Sequence, residues 1–375
     1  MRTGALRLRL VDKTQRVAYP DLGIGTLRTK KTEGDRCHDG EESRMKVGLL
    51  GAGRIGKFHA RVLADHPDVE TLVIGDVDPE RAVEVAEEVG VQNSAVEEVI
   101  GSGLDAVAIA AETSAHAELI TTCLEAGLPT FCEKPIAIDH KETVAIVDRV
   151  ESSEATLQIG FQRRFDAGYR EAKRLIETGK LGTLYSIRLA THDPEPPSER
   201  YISESGGIFR DLHIHDFDAL RWLAGSEAEE VHAQGSVRKF DVFKKYEDFD
   251  TSTLMIRMAN GVLAIISGGR QDALGYDVRT EIFGSGDSIS VGLDRRTPLR
   301  SVEPNATPSK EVAYPGFMVR FEDAYRAQFA HFLEVARGRA ENPCTARDSL
   351  EALRIAVAAD VSVAEKRPVM MEEIR

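Results

Sequence analysis

The stretch Val47-Gly48-Leu49-Leu50-Gly51-Ala52-Gly53-Arg54-Ile55-Gly56 constrains this chain more than any other. A short apolar run, which reads as a buried parallel strand, drops straight into glycines spaced G-x-G-x-x-G, and Lys57 to Ala64 reads as a helix. In that context Gly51 permits the tight turn off the strand. Gly53, without a side chain, lets a pyrophosphate approach the backbone, and Gly56 lets the helix pack close to the sheet. Phosphates would face the partly positive helix N-terminus, with Arg54 and Ile55 in the same turn. The next apolar run, Thr71 to Gly75, ends at Asp76, 20 residues beyond Gly56 (76 − 56), where an acidic residue binds a ribose hydroxyl. These features predict a doubly wound dinucleotide-binding domain.

Strand and helix patterns then alternate. Strands are expected at Lys46–Leu50, Thr71–Asp76, Ala106–Ala110, Thr130–Cys132 and Thr156–Gly160. Between them fall helices at Pro79–Val89, Ser114–Ala126 with Ser114 as cap, and Asp139–Glu151 with Asp139 as cap. Such alternation implies right-handed crossovers and a parallel sheet covered on both faces. Beyond Gly160 the texture changes. A helix at Ala167–Thr178 precedes longer alternating strands at Leu184–Ala190, Glu230–Val237, Thr251–Met258, Val262–Gly268 and Val278–Gly284, interrupted by one helix, Phe209–Leu223. The turn Ala259-Asn260-Gly261 marks a hairpin. The chain closes on helices at Asp323–Arg337 and Thr345–Lys366. The fold class is therefore α/β: an N-terminal Rossmann domain with a doubly wound parallel sheet, then a C-terminal α+β domain with a large, mostly antiparallel open sheet. The expected partition is 45–164 for the nucleotide domain, 165–342 for the substrate and oligomerisation domain, and 343–375 for a helical segment packing back between them.

Residues 1–44 differ from the rest. They hold 10 Lys and Arg against 7 Asp and Glu, a balance of +3, whereas the remainder carries −17 of the total −14. With no sustained period they are expected to form a disordered extension. The acidic balance of the whole argues against nucleic acid and against an anionic membrane surface. No apolar run reaches the ~18 residues a bilayer span needs. The four cysteines (Cys37, Cys123, Cys132, Cys344) are scattered, which fits a reducing cytoplasm and offers neither a disulfide framework nor a zinc site. No metal is expected.

Three residues have the chemistry of a dehydrogenase. Asp211 and His215 stand at i and i+4 of the expected Phe209–Leu223 helix, so they share a face. Spacing alone leaves open that they are an exposed helical pair worth about 0.2–0.5 kcal/mol. His213, two residues from His215, points elsewhere. Lys134 follows a strand and precedes Pro135, which biases it to an extended conformation that projects its ammonium from the ligand-binding edge of the sheet. Asp76 has no adjacent Arg, and its carboxylate would repel a 2′-phosphate, so NAD is favoured over NADP; Arg81, one helical turn on, is the qualifying feature.

With GAGRIGKFHA at 51–60, CEKP at 132–135, GFQRRFD at 160–166, GGIFRDLHIHDFDALRWLAG at 206–225 and GYDVRTEIFGS at 275–285, the chain resembles the glucose–fructose oxidoreductase / inositol dehydrogenase (Gfo/Idh/MocA) family over essentially all of 45–375. Its look is closest to the bacterial inositol 2-dehydrogenase branch. The resemblance implies NAD-dependent oxidation of a ring hydroxyl of a cyclic polyol, myo-inositol first; an aldose, amino-cyclitol or keto-sugar is the alternative substrate. It implies that Asp211 and His215 form the catalytic pair, His215 being the general base, and that Lys134 contacts substrate oxygens. It places Glu133, Thr113 and His116 along the cofactor, and Arg163, His192 and Tyr276 around the substrate. It also implies a homo-tetramer or homodimer. A dinucleotide sensor without turnover would lack Lys134 or the Asp211/His215 pair, and both are present.

Overall fold

The computed structural model describes residues 44–153, 155–306 and 311–374. The expectation of disorder for 1–44 lies outside these residues except at Arg44, whose guanidinium donates to the carbonyls of Pro67 and Val69 at 2.8 and 2.6 Å.

The first half runs β1 (Met45–Leu50), α1 (Arg54–Ala64), β2 (Val69–Gly75), α2 (Pro79–Val89), β3 (Gln92–Asn93), α3 (Val96–Ile100), β4 (Ala106–Ile109), α4 (Thr113–Glu125), β5 (Thr130–Glu133), α5 (His140–Glu151) and β6 (Leu157–Gly160). The six strands are parallel in the order β3-β2-β1-β4-β5-β6. The order reverses between β1 and β4, and the crevice at that switch point is where such sheets bind ligands. β1, β4, β5 and β6 are almost wholly buried, as apolar strands covered on both faces must be. Caps set the helix starts. Asp78 accepts from the Arg81 N–H ahead of α2, and Asp139 from the Glu142 N–H ahead of α5. Ser114 is not the cap expected of it: α4 begins one residue earlier, behind Glu112, with no side-chain cap.

A 3-10 turn at Gln162–Phe165 leads into α6 (Ala167–Glu177), β7 (Leu184–His192), α7 (Glu199–Glu204), α8 (Ile208–Asp211), α9 (Ile214–Ala224), β8 (Ala228–Ser236), α10 (Val242–Lys245), β9 (Thr251–Met258), β10 (Leu263–Gly269), β11 (Asp277–Gly284) and β12 (Ser288–Val291). The chain ends with α11 (Phe317–Arg320), α12 (Glu322–Ala336), α13 (Ala346–Glu365) and β13 (Val369–Met370). The second sheet has the order β12-β11-β7-β10-β9-β8-β13 and is antiparallel except where β10 runs parallel to β7. β9 alternates exposed and buried residues without fault, so one face packs inward and the other is open.

Two features depart from the sequence reading. The single helix expected at Phe209–Leu223 is two, broken at Leu212-His213. Gly206 and Gly207 enter the first of them at φ of +75° and +89°, and Asp248 accepts the Ile208 N–H at 2.9 Å. Secondly, α12 was grouped with the second sheet, yet its Phe329, Phe332 and Leu333 join the apolar cluster of α1, β1, β2 and Phe131 beside the first sheet. α13 packs against α5, α9 and β8.

Candidate active site

The glycine turn is built for close approach. A Cβ on Gly51, at φ +102°, would lie 2.5 Å from the Ala111 nitrogen, and one on Gly56 would lie 2.0 Å from the Gly51 oxygen. Only glycine permits α1 to start so close to β1 and β4. A Cβ on Gly53 would meet nothing within 4 Å, so the turn leaves open space where a phosphate would approach. Asp76 completes this edge. Its carboxylate accepts the Ala52 N–H at 2.6 Å and the Asp78 N–H at 2.8 Å. Arg81 rests on the same carboxylate at 2.8 Å, which gives this arginine a place beside the ribose position. Arg54 and Ile55 open α1, and the Arg54 guanidinium lies over the Phe317 ring at 5.1 Å. These residues fit a dinucleotide.

Other residues expected along the cofactor are committed within the protein. His116 is 1 % exposed, with its two ring nitrogens at 2.7 and 3.1 Å from the carbonyls of Pro135 and Ala111. It ties α4 to the loop after β5, and burial holds its pKa below the ordinary value. Glu133 is likewise enclosed, 2.7 Å from His59 Nε2, and so braces α1 against β5. Thr113 stands partly exposed at the start of α4, facing the loop region at the end of β4.

Lys134, beyond β5, reaches across 77 residues of sequence to the end of α8. Its Nζ donates to the Asp211 carbonyl at 2.9 Å and lies 3.3 Å from Asp211 Oδ1. The same Oδ1 accepts the Tyr201 hydroxyl at 2.8 Å, and Oδ2 accepts Arg270 Nη1 at 2.8 Å. Burial alone would raise the Asp211 pKa. The charges of Lys134 and Arg270 and the hydrogen bonds from Arg270 and Tyr201 overcome it and hold the carboxyl well below the usual range.

His215 does not pair with Asp211 as the i, i+4 spacing implied, because the break between α8 and α9 interrupts the helical repeat. Its ring is partly exposed, edge-on to Phe161, and Nδ1 is enclosed without a partner. Burial, then Lys134, then Arg163 drive its pKa well below the ordinary value, against weaker opposition from Asp216 and Asp211. It is a neutral imidazole at neutral pH. His213 is fully buried and structural, with Nδ1 at 2.7 Å from Asp216 and Nε2 at 2.8 Å from Ser252.

Arg163 was expected to touch substrate. Instead its guanidinium is 2 % exposed, bound to Asp216 Oδ1 at 2.5 Å and to Thr191 Oγ1 at 3.0 Å. It acts on the site through its charge on His215. Arg164 is held by Asp218 and Asp348, and Asp166 takes Arg320. His192 ends β7 partly exposed, 3.9 Å from the Asp277 carboxylate, and burial keeps its pKa low. Tyr276 is nearly enclosed, and burial pushes its phenol far up, so it stays a donor.

Sequence reasoning missed Tyr201, Arg270 and Asp193. Arg270 heads the fully buried side chains by size, and its Nη1 lies 3.4 Å from Asp193 as well as on Asp211. The only linear signal was a charged residue directly after an alternating, half-buried strand, at the sheet edge where β7 and β10 end together.

Comparison with known proteins gives the family and the fold. The family model described as "Oxidoreductase family, NAD-binding Rossmann fold" matches residues 45–161, and that of the GFO/IDH/MocA C-terminal domain matches 169–290. The chain is 39% identical over 322 residues to a myo-inositol dehydrogenase of Streptomyces leeuwenhoekii, covering 85% of this chain and 97% of that one. A solved myo-inositol dehydrogenase of Corynebacterium glutamicum superposes with a TM-score of 0.80 at 32% identity, over 87% of this chain and 98% of the other. The scyllo-inositol dehydrogenase of Lactobacillus casei with bound NAD(H) and scyllo-inositol gives a TM-score of 0.79 at 28% identity, covering 88% and 100%.

Proposed function

Because the chain belongs to the GFO/IDH/MocA family of NAD-binding oxidoreductases, we propose that it oxidises a ring hydroxyl of a cyclic polyol, taking myo-inositol to its 2-keto form (scyllo-inosose). The observation that carries this reading is the contact of Lys134 from the nucleotide half with Asp211 from the other half, beside a neutral His215. NAD, when bound, supplies the hydride acceptor.

This chain's own residues then have separate tasks. His215, uncharged, is free to accept the hydroxyl proton. Lys134 makes two contacts to Asp211, which leaves one N–H of its ammonium for the oxygen where negative charge develops. Asp211 is an anion throughout the working range, so it anchors Lys134 and carries no proton itself. His192 and Tyr276 border the same region and are assigned to the substrate hydroxyls, with Tyr276 a donor only.

Substrate class is tested by following NADH formation across inositol isomers, aldoses and amino-cyclitols, with NADP in parallel. Oxidation of myo-inositol with NAD is expected; preference for an aldose or an amino-cyclitol would replace the substrate named here. His215→Ala is expected to lower kcat by at least ~10²-fold if the imidazole is the base, and near-wild-type turnover would remove that role.

We assign the chain to a homo-oligomer, dimer or tetramer, built on the open face of the second sheet. Leu263 and Ile265 on β10 and Met255 on β9 lie exposed there, with Ile265 directly opposite Met255. Light scattering should give a mass above one chain, and Ile265→Glu should lower it. A reducing cytoplasm is the compartment favoured by Cys123, Cys132 and Cys344, which are buried and unpaired.

A further inference from the structure

We propose that Arg270 is a positioning residue that divides the Asp211 carboxylate between two cations, so that Lys134 keeps a donor free for the substrate oxygen. This inference rests on the assignment of Lys134 just given. It starts from an unusual distance. A charge-assisted N–H···O contact settles at about 2.7–2.9 Å, yet Lys134 Nζ stands 3.3 Å from Asp211 Oδ1. The carboxylate is drawn elsewhere. Oδ2 is held by Arg270 Nη1 at 2.8 Å, and Oδ1 is shared with the Tyr201 hydroxyl at 2.8 Å. Lys134 therefore sits against a carboxylate that it does not fully own, and its shorter contact is to the Asp211 carbonyl.

Arg270 can do this because it is itself fixed. It directly follows β10, its side chain is 2 % exposed, and its backbone N–H donates to the Asp250 carbonyl at 2.8 Å. Its Nη1 also faces Asp193 at 3.4 Å. Asp193 is placed by its own N–H on the Gly269 carbonyl, so β7 and β10 deliver the pair together. Nε and Nη2 of Arg270 are enclosed and without partners, as is Oδ2 of Asp248. The charges of Arg270 and Asp248 act on each other, and Asp248 caps the head of α8 through Ile208. The arginine is thus the node between the sheet and the short helix that ends in Asp211.

Every charged group facing Asp211 bears on the outcome: Lys134 after β5, Arg270 after β10, Asp193 after β7, Tyr201 on α7, His215 on α9 and Asp248 before β9. Without Arg270, Asp211 loses one of two cations and keeps Lys134. Two things follow. The carboxylate swings onto Lys134 and occupies it more fully, and the carboxyl becomes easier to protonate, because loss of a neighbouring cation raises a carboxylate pKa by about one unit or more.

The test is Arg270→Gln with Arg270→Lys beside it. In Arg270→Gln we expect kcat to fall roughly 10–100-fold with KM for NAD within about twofold. In a crystal structure of this variant Lys134 Nζ should close from 3.3 Å to about 2.7–2.9 Å from an Asp211 oxygen. Arg270→Lys keeps the charge beside Asp211, so kcat should fall less than in Arg270→Gln and Lys134 Nζ should stay near 3.3 Å from Asp211 Oδ1. This variant also decides the matter if Arg270→Gln does not fold, since a Lys134 Nζ that closes onto Asp211 in a crystal of Arg270→Lys contradicts the proposal. An unchanged kcat in Arg270→Gln, or a carboxylate that stays at its present distance from Lys134, overturns it. Should the wild-type protein oxidise no polyol, the functional assignment falls, and the Lys134–Asp211 distance in the variant crystal still decides the role of Arg270.

Discussion

Replacing Asp216 by asparagine should destabilise the protein more than any other single change at the junction of its two sheets. Asp216 is fully buried and accepts three hydrogen bonds: Arg163 Nη1 at 2.5 Å, Thr191 Oγ1 at 2.7 Å and His213 Nδ1 at 2.7 Å. They join the turn after β6, the end of β7 and the start of α9. Arg163 has no other anion within salt-bridge reach among the described residues. Asp216→Asn keeps the shape and removes the charge, leaving a buried guanidinium uncompensated, a defect worth about 3–5 kcal/mol. The folded unit has 333 residues (375 − 42). At about 2.1 cal/mol/K per residue its unfolding entropy is roughly 0.7 kcal/mol/K, so the melting temperature should drop by roughly 4–7 °C. Scanning calorimetry at neutral pH measures this, with Glu171→Gln as control. Glu171 pairs with Arg174 in the open, where such a bridge is worth about 0–1 kcal/mol. The pH dependence supplies a second check. Burial would raise the Asp216 pKa, but Arg163 and His213 hold it below the ordinary value. A carboxylate with a depressed folded pKa contributes stability that is present above its unfolded value of about 3.9 and is lost as pH falls through the folded value. The gap between wild type and Asp216→Asn should therefore hold from pH 5 to 8 and narrow below about pH 4. A melting change under about 1 °C at neutral pH, or a gap that does not narrow in acid, would refute the reasoning.

Gly56→Ala should weaken NADH binding at least ~10-fold by fluorescence titration, because its Cβ meets the Gly51 carbonyl; unchanged affinity would mean that α1 can retreat freely. Gly53→Ala meets no protein atom, so the melting temperature should hold while NADH affinity falls, and retained affinity would place the phosphates elsewhere. The acid limb of kcat/KM in the wild type should lie below 6.5, since burial and the charges of Lys134 and Arg163 lower the His215 pKa; a limb above 7 would assign it to another group. Asp360, pushed up to about 6 by burial against the pull of Arg210, binds more protons folded than unfolded between pH 4 and 6, so its share of stability falls as pH rises through that window. Asp360→Asn should flatten the melting curve there and exceed the wild type at pH 8, and a curve that still falls would place the titration elsewhere.

The first sheet was legible because a fully buried parallel strand writes a continuous apolar run, and because Asp78 and Asp139 cap the helices that follow. Lys134 was legible for a related reason: it ends a strand before a proline, which fixes where its side chain emerges. The break between α8 and α9 was not. Leu212 and His213 suit a helix by propensity, and the interruption comes from Asp248 capping Ile208 and from Ser252 and Asp216 gripping His213, contacts made 39 or 40 residues away in two of the three cases. The partners of Arg163 and Arg164 were hidden for the same reason. Both are arginines after a strand, and only the positions of Asp216, Asp218 and Asp348 in space assign their partners. Arg270 was invisible in the linear string because its partner Asp211 lies 59 residues away on another element.

The break has a chemical consequence. Had α8 and α9 formed one helix, Asp211 could have hydrogen-bonded His215, favouring imidazolium and removing the vacancy that a base needs. With the repeat interrupted, the two side chains enter different surroundings and their proton affinities are separated. Asp211 meets two cations and a phenol and stays an anion; His215 meets burial and two cations and stays neutral. On the function proposed above, one position anchors charge and the other receives a proton, a division that a pair of titratable groups in a shared environment does not give. Lys134 lowers the affinity of His215 for a proton, so if His215 is the base proposed above, the imidazolium it forms is destabilised beside Lys134 and gives its proton up readily.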